Sequence, residues 1–384
     1  MTSTSIQHNS SNNTPVTDQA HYDQKMIAQY SKDSKKKYLQ IQDNQQLVSF
    51  KFVEQIDIDK LRIYECFKIN LQAVPINITT LQINNCNVEK LAGIKQMTQL
   101  QSLDLSNNRV SDVSELQYLE NLTILSLSYN KLSDISPLST LLNLQELYLY
   151  RNQINSALQL KNLRNLIKLD LGVNALLDLN GIQYLKNLTR LSVPYNKLVD
   201  IRQIKNLTRV QELILCGNQL NNIDVLKNFQ NLNMLNLADN KLVDISSIKY
   251  LQNLTHLYIL NNLIVHIDAL RNLSFDQLEI SSNDIISFEP VENHKNFKNY
   301  SIDEQQQPKE KHIRLSKRLK AVFDSQELLN LQQEKKGLIH IIQKEQVEKV
   351  VKSAKKAIND QVLMSKQIVF LFQVLSQATC ESNQ

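Results

Sequence analysis

One spacing constrains this chain more than anything else in it: from Asn108 to Asn262, leucines and a single asparagine return every 22 residues without a slip. The frame LxxLxLxxN is filled by Leu100, Leu103, Leu105 and Asn108, then by Leu122, Leu125, Leu127 and Asn130, then by Leu144, Leu147, Leu149 and Asn152. It continues through Asn174, Asn196, Asn218, Asn240 and Asn262, and a shortened unit on Phe275, Leu278 and Ile280 ends at Asn283. Upstream, Ile78, Leu81, Ile83 and Cys86, and before them Ile58, Leu61, Ile63 and Cys66, fit the same frame, which makes eleven units. A period held this long describes one supersecondary unit stacked on copies of itself, because no unit can bury its apolar face alone.

Each position in the unit has a physical task. In a short strand the LxL pair points to one side and its neighbours to the other. Stacked parallel, such strands predict an α/β solenoid, a right-handed horseshoe with short parallel strands lining the concave face and short helical segments behind. The asparagine leaves the strand where the chain bends away, and its amide can both donate to and accept from buried backbone groups of adjacent turns. Asn108, Asn130, Asn152, Asn174, Asn196, Asn218, Asn240, Asn262 and Asn283 are therefore expected to form a structural ladder, with Cys66 and Cys86 as small buried residues at its start. The second half of the unit, Leu132-Ser133-Asp134-Ile135 followed by Leu138 and Leu141, recurs at Asp200 and Asp244. An Asp just ahead of a helical turn suits a cap, so these evenly spaced carboxylates are read as caps and not as catalytic pairs.

This pattern resembles the 22-residue leucine-rich-repeat class that includes the protein phosphatase-1 regulatory subunit and the bacterial internalins, over about residues 56–290. The resemblance implies the horseshoe fold and a non-catalytic scaffold or regulatory subunit that holds a protein on its concave face. Among partners it implies a phosphatase catalytic subunit or a cytoskeletal protein. The internalin side of the same resemblance implies an alternative, a cell-surface or secreted adhesin-like protein carrying glycans at its sequons.

With the leucines inward, the concave face is built from the residues flanking and between each pair. The first units offer small polar side chains such as Ser102, Ser106 and Ser126. From the fifth unit onward aromatic, charged and apolar residues cluster. Tyr and Arg dominate binding hot spots because they combine apolar area with a directional polar tip. The expected contact patch is therefore Tyr148, Tyr150, Arg190, Ile214, Met234 and Tyr258, with Glu146, Asp170 and His256 at its rim.

Composition narrows the remaining possibilities. Only 5 glycines in 384 residues leave little material for phosphate-cradling loops, and no GxxxxGK[ST], GxGxxG or HExxH occurs. No enzyme activity, cofactor or metal site is expected. The net charge of +5 is concentrated between residues 309 and 366, which hold 14 Lys/Arg against 7 Asp/Glu. The chain as a whole is therefore not a polycation, and no nucleic-acid partner is expected. Four cysteines without CxxC spacing argue against a disulfide framework or a zinc site. The first 20 residues show no apolar signal core, and no apolar run approaches about 18 residues. A cytoplasmic or nuclear chain that does not engage membranes is the resulting expectation. The sequons at Asn121, Asn187 and Asn253 recur with the repeat itself.

Four segments are expected: 1–45, disordered or loosely helical, including a solvated run Lys35-Lys36-Lys37; 46–290, the solenoid; 291–311, a linker; and 312–380, a helical or coiled-coil extension. In the last, Val347, Val351, Ala354, Ile358, Ser365, Ile368, Phe372 and Leu375 line one helical stripe, and 338–378 is the expected route of self-association.

Overall fold

The structure, a computed structural model, describes residues 5–7, 38–42, 58–66, 69 and 71–295. All fall in the first of two compact units, Met1–Asp303. The expected linker beyond residue 295, the helical extension and its self-association lie outside the described residues.

Each repeat opens on a strand just long enough to place its inward residues. The strands are β1 (Ser5–Gln7), β2 (Tyr38–Gln42), β3 (Lys60–Tyr64), β4 (Thr80–Asn84), β5 (Ser102–Asp104), β6 (Ile124–Ser126) and β7 (Glu146–Tyr148). They continue as β8 (Lys168–Asp170), β9 (Arg190–Ser192), β10 (Glu212–Ile214), β11 (Met234–Asn236), β12 (His256–Tyr258) and β13 (Gln277–Glu279). These 13 strands pair in sequence order, all parallel, as one open curved sheet. Register equals the sequence period: Leu103 lies opposite Leu125, Leu125 opposite Leu147, and Leu147 opposite Leu169. Identical side chains therefore stack along the solenoid, and one apolar core runs its length with most members fully buried.

Behind the sheet the chain turns as 3-10 helix. Ile135, Leu138, Leu141 and Leu144 fall every third residue, the period at which 3-10 side chains eclipse, and all four are buried. Successive i→i−3 bonds follow the same residues: Leu138 N–H to Ile135 O at 3.0 Å, Leu141 to Leu138 at 3.1 Å, and Leu144 to Leu141 at 3.1 Å. The preceding aspartates act one residue ahead of the formal cap. Asp134, Asp200 and Asp244 accept the N–H groups of Ser136 (2.8 Å), Arg202 (2.9 Å) and Ser246 (2.7 Å), each the first residue of its 3-10 turn.

The asparagine row bonds to its own and the preceding coil in one repeating scheme. Asn130 donates to the Leu105 carbonyl at 2.9 Å and the Leu127 carbonyl at 3.0 Å, and accepts the Val110 N–H at 2.9 Å. Asn152, Asn174, Asn196, Asn218, Asn240 and Asn262 repeat the scheme with every partner advanced by one unit. At the start of the row, the Cys86 thiol takes the amide's place. It donates to the Asn84 carbonyl at 3.0 Å and receives the Cys66 N–H at 3.3 Å. Burial pushes the Cys86 thiol up to about 12, so it is a hydrogen-bonding core residue rather than a nucleophile.

A second row of asparagines runs along the outer side, and it accounts for the sequons. Asn121, Asn187 and Asn253 donate to carbonyls 23 residues earlier, those of Thr98 (2.8 Å), Arg164 (2.9 Å) and Gln230 (2.7 Å). Asn143, Asn165 and Asn231 make the same bond although no Ser or Thr follows at the sequon position. The asparagine is kept by architecture, and the sequon is its by-product.

Both ends of the solenoid reach beyond their expected limits. Strands β1 and β2 lie inside the 1–45 stretch read as disordered or loosely helical. The buried Leu39 and Ile41 of β2 stand 22 residues before Leu61 and Ile63 and pair with them in register. A twelfth copy of the inward pair was hidden there by polar, Lys- and Gln-rich surroundings. At the other end, Val291, placed in the linker, is fully buried in the same core, on the short helix Glu289–Glu292. That helix closes the last coil, with Glu289 ion-paired to Arg271 and the Phe275 and His294 rings 6.0 Å apart.

Candidate protein-binding surface

The outward residues of β7 to β12 all come from the flanks of the inward leucines, so the 22-residue register lays them out in rows. The structure brings the expected patch onto one side of the sheet: Glu146, Tyr148, Tyr150, Asp170, Arg190, Ile214, Met234, His256 and Tyr258 are each partly exposed there.

Its charges are mutually satisfied. Tyr148 donates its hydroxyl to Glu146 at 2.6 Å, and Lys168 on the next strand reaches the other Glu146 oxygen at 2.9 Å. Burial pushes the Glu146 carboxyl up, but the bonds from Tyr148 and Lys168 prevail and hold it below the usual carboxylate range. Burial, reinforced by that same carboxylate, lifts the Tyr148 phenol to about 12. Arg190 pairs with Glu212 on the following strand. Lys168 and Glu212 stand outside the patch expected from sequence, yet the signal for them was present. Glu146–Lys168 and Arg190–Glu212 are each one period apart, which makes them direct cross-strand neighbours. At this exposure such pairs are worth about 0–1 kcal/mol; they set the polarity of the surface more than its stability.

Asp170 has a local task. Its carboxylate accepts the Gly172 N–H at 2.9 Å and the Ser192 hydroxyl at 3.1 Å, closing the turn out of β8. Burial raises its carboxyl despite those two bonds and the nearby Arg190. A carboxyl raised in the folded state favours folding below its unfolded pKa, and that advantage is lost as pH rises through the folded value. Asn236, two periods plus 22 residues further on at the same point of its unit, accepts the Ala238 N–H at 3.1 Å with no charge. Asp170→Asn is therefore expected to keep the turn and be at least as stable as wild type at neutral pH. Thermal unfolding across the acid range should show the variant's advantage growing with pH; a variant less stable at neutral pH would show the charge to be required.

From β10 onward apolar side chains enter the face among polar ones. Ile214 lies opposite Asn236, which in turn faces Tyr258, while Met234 lies between Glu212 and His256, and Tyr258 is bonded to Gln277. His256 is held by Thr255, whose hydroxyl lies 2.8 Å from its Nδ1. Burial raises the Cys216 thiol and leaves it poorly suited to nucleophilic attack. Among the described residues no group of three or more His, Cys, Asp or Glu could hold a metal, and no helix is long and apolar enough to cross a membrane.

Sequence comparison agrees with this geometry: a family model for paired leucine-rich repeats matches residues 76–118 and again 120–162. The fold is that of a leucine-rich-repeat solenoid. No protein of curated function matches its sequence. Among solved structures, the fold is similar to an internalin, inlF, from Listeria monocytogenes, with TM-score 0.63 and 23% identity, covering 75% of this chain and 96% of that one. It is also similar to the plant peptide hormone receptor RGFR1 in complex with RGF2, with TM-score 0.53 and 23% identity, over 64% of this chain and 42% of the receptor. Leucine-rich repeats of this kind are in general protein-interaction scaffolds without catalytic activity. The cytoplasmic or nuclear placement expected from the N-terminal residues is corrected by these neighbours, an internalin and a hormone receptor, which point outside the cell.

Proposed function

We propose that this leucine-rich-repeat solenoid works at the cell surface or after secretion, as an adhesin-like scaffold holding a folded protein on the β7–β12 part of its concave face. The observation that carries the reading is the gradient along that face. A stretch whose charges are already paired, Glu146 with Lys168 and Arg190 with Glu212, leads into the partly exposed Ile214, Met234 and Tyr258. Desolvating such a surface strands no charge, and these apolar side chains supply anchors. At about 4.8 Å per strand the six strands span roughly 25 Å, enough for one side of a standard interface of about 800 Å² per partner. The ladder-held sheet favours docking onto a preformed shape.

The neighbours in fold support the surface setting. A regulatory-subunit role toward a phosphatase or a cytoskeletal protein draws no support from them. The glycans expected of a surface protein at Asn121, Asn187 and Asn253 are not required by this reading, since those asparagines are kept by the outer ladder.

Two measurements test it. Surface biotinylation of intact cells should label the protein while a cytoplasmic marker stays unlabelled. Capture of surface proteins by the purified chain should fall by about tenfold or more in the Met234→Ala/Tyr258→Ala double variant, with its circular dichroism unchanged. An unlabelled protein, or capture indifferent to both substitutions, would overturn the reading.

A further inference from the structure

A different surface lies where the strands end. The residue before each ladder asparagine is left-handed, with φ of 56° at Tyr129, 55° at Arg151 and 52° at Tyr195. That conformation is costly for a side chain other than glycine, and here it recurs in successive units. It carries Tyr129 and Tyr195 out along the edge of the sheet, 43% and 55% exposed. The Tyr150 ring sits 5.3 Å from that of Tyr129, and the Arg151 guanidinium lies over the Tyr129 ring at 5.6 Å.

Two of the chain's 5 glycines make room for this row. A Cβ on Gly172 would lie 2.8 Å from both the Tyr150 ring and Pro194, and one on Gly217 only 2.3 Å from the Tyr195 ring. Their absence lets the rings settle across neighbouring coils as a nearly continuous shelf.

The shelf is bordered by cations without counter-charges. The residues just before and just after each ladder asparagine, from Asn107 to Gln219, include no carboxylate. Arg109 pairs with Glu89 at 3.6 Å. Among the described residues, no ion pair joins Lys131, Arg151 or Lys197 to a carboxylate, and all three are exposed. This contrasts with the concave face, where the principal charges are paired.

We infer that this edge binds an extended acidic peptide segment, its carboxylates on Lys131, Arg151 and Lys197 and its apolar or proline side chains on the tyrosine shelf. Lys131 and Lys197 are three units apart, roughly 14 Å, which about four residues of extended chain would cover. Proline-rich extended segments dock on aromatic-lined surfaces, and unpaired cations at the rim select the acidic ones. A sulfated saccharide would meet the same charges but stacks best on open ring faces. Arg151 already covers Tyr129, and Gly217 lies against one face of Tyr195. The edge meets the concave patch at Tyr150, but Lys131, Arg151, Lys197 and Tyr195 lie outside that patch, so variants at these positions test the edge alone.

The test uses the full chain and fluorescence anisotropy with two labelled octapeptides, one alternating Glu and Pro, the other Gln and Pro. The acidic peptide should bind, and the Gln peptide about tenfold more weakly or worse. The triple variant Lys131→Glu/Arg151→Glu/Lys197→Glu should lose the acidic peptide by at least about tenfold with unchanged circular dichroism. Tyr195→Ser, a second variant independent of charge, should weaken binding several-fold while leaving its salt dependence intact. Failure of the acidic peptide to bind would overturn the inference. So would binding undiminished by the charge reversals, the result that attachment to the lysine-rich C-terminal stretch would give. Binding at this edge by a sulfated oligosaccharide but not by the peptide would overturn it as well.

Discussion

Asn130→Ala is expected to lower the stability of the solenoid by about 2–4 kcal/mol, read as a shift in the urea midpoint at constant slope. The side chain makes four bonds from a buried position: to the Leu105, Leu127 and Ser128 carbonyls and from the Val110 N–H. The leucine carbonyls are partly insured, because Leu105 O also receives Asn108 and Leu127 O also receives Asn152. The Val110 N–H has no such second partner and is left unsatisfied, at a cost of about 1–3 kcal/mol by itself. The chain supplies its own control. Cys86 occupies the same position in an earlier unit and still takes one N–H and gives one S–H bond. Asn130→Cys should accordingly fall between alanine and wild type. An alanine variant within about 0.5 kcal/mol of wild type would mean the ladder is decoration.

Phe229→Ala is expected to cost about 3–5 kcal/mol, through lost burial and the cavity left behind. Phe229 is among the largest fully buried side chains, at the end of a 3-10 turn where Leu119, Leu141, Leu163, Leu185, Leu207 and Leu251 stand in the other units. Because leucine fills this site elsewhere in the same core, Phe229→Leu should cost no more than about 1.5 kcal/mol. In a solenoid each coil leans on its neighbours, so hydrogen exchange in the alanine variant should rise first in the adjoining units. Equal destabilisation by Leu and Ala would show that the aromatic ring, not apolar volume, is what the site requires.

Much of this was legible in the residues. The 22-residue period fixed strand register outright: Leu103 opposite Leu125 is the period restated as geometry. The ladder asparagines were legible because a buried chain bend needs a side chain that both donates and accepts. The twelfth inward pair, Leu39 and Ile41, was missed because two residues in a polar stretch carry little weight unless the period is extended to meet them. The pairing of Glu146 with Lys168 and of Arg190 with Glu212 was recoverable from the same arithmetic, but choosing residues by type alone passed over it. The tyrosine edge was harder to see. Its residues project through left-handed backbone, which no propensity assigns to Tyr or Arg, and its continuity depends on glycines one unit away.

The concave face, rather than the 3-10 side, is expected to meet the partner. A photoreactive phenylalanine analogue placed at Ile214, on the concave side, and separately at Tyr250, exposed on a 3-10 turn, tests it directly. Irradiation in contact with intact-cell surface proteins should give a discrete cross-linked band from position 214 and none from position 250. The reverse pattern would contradict the account.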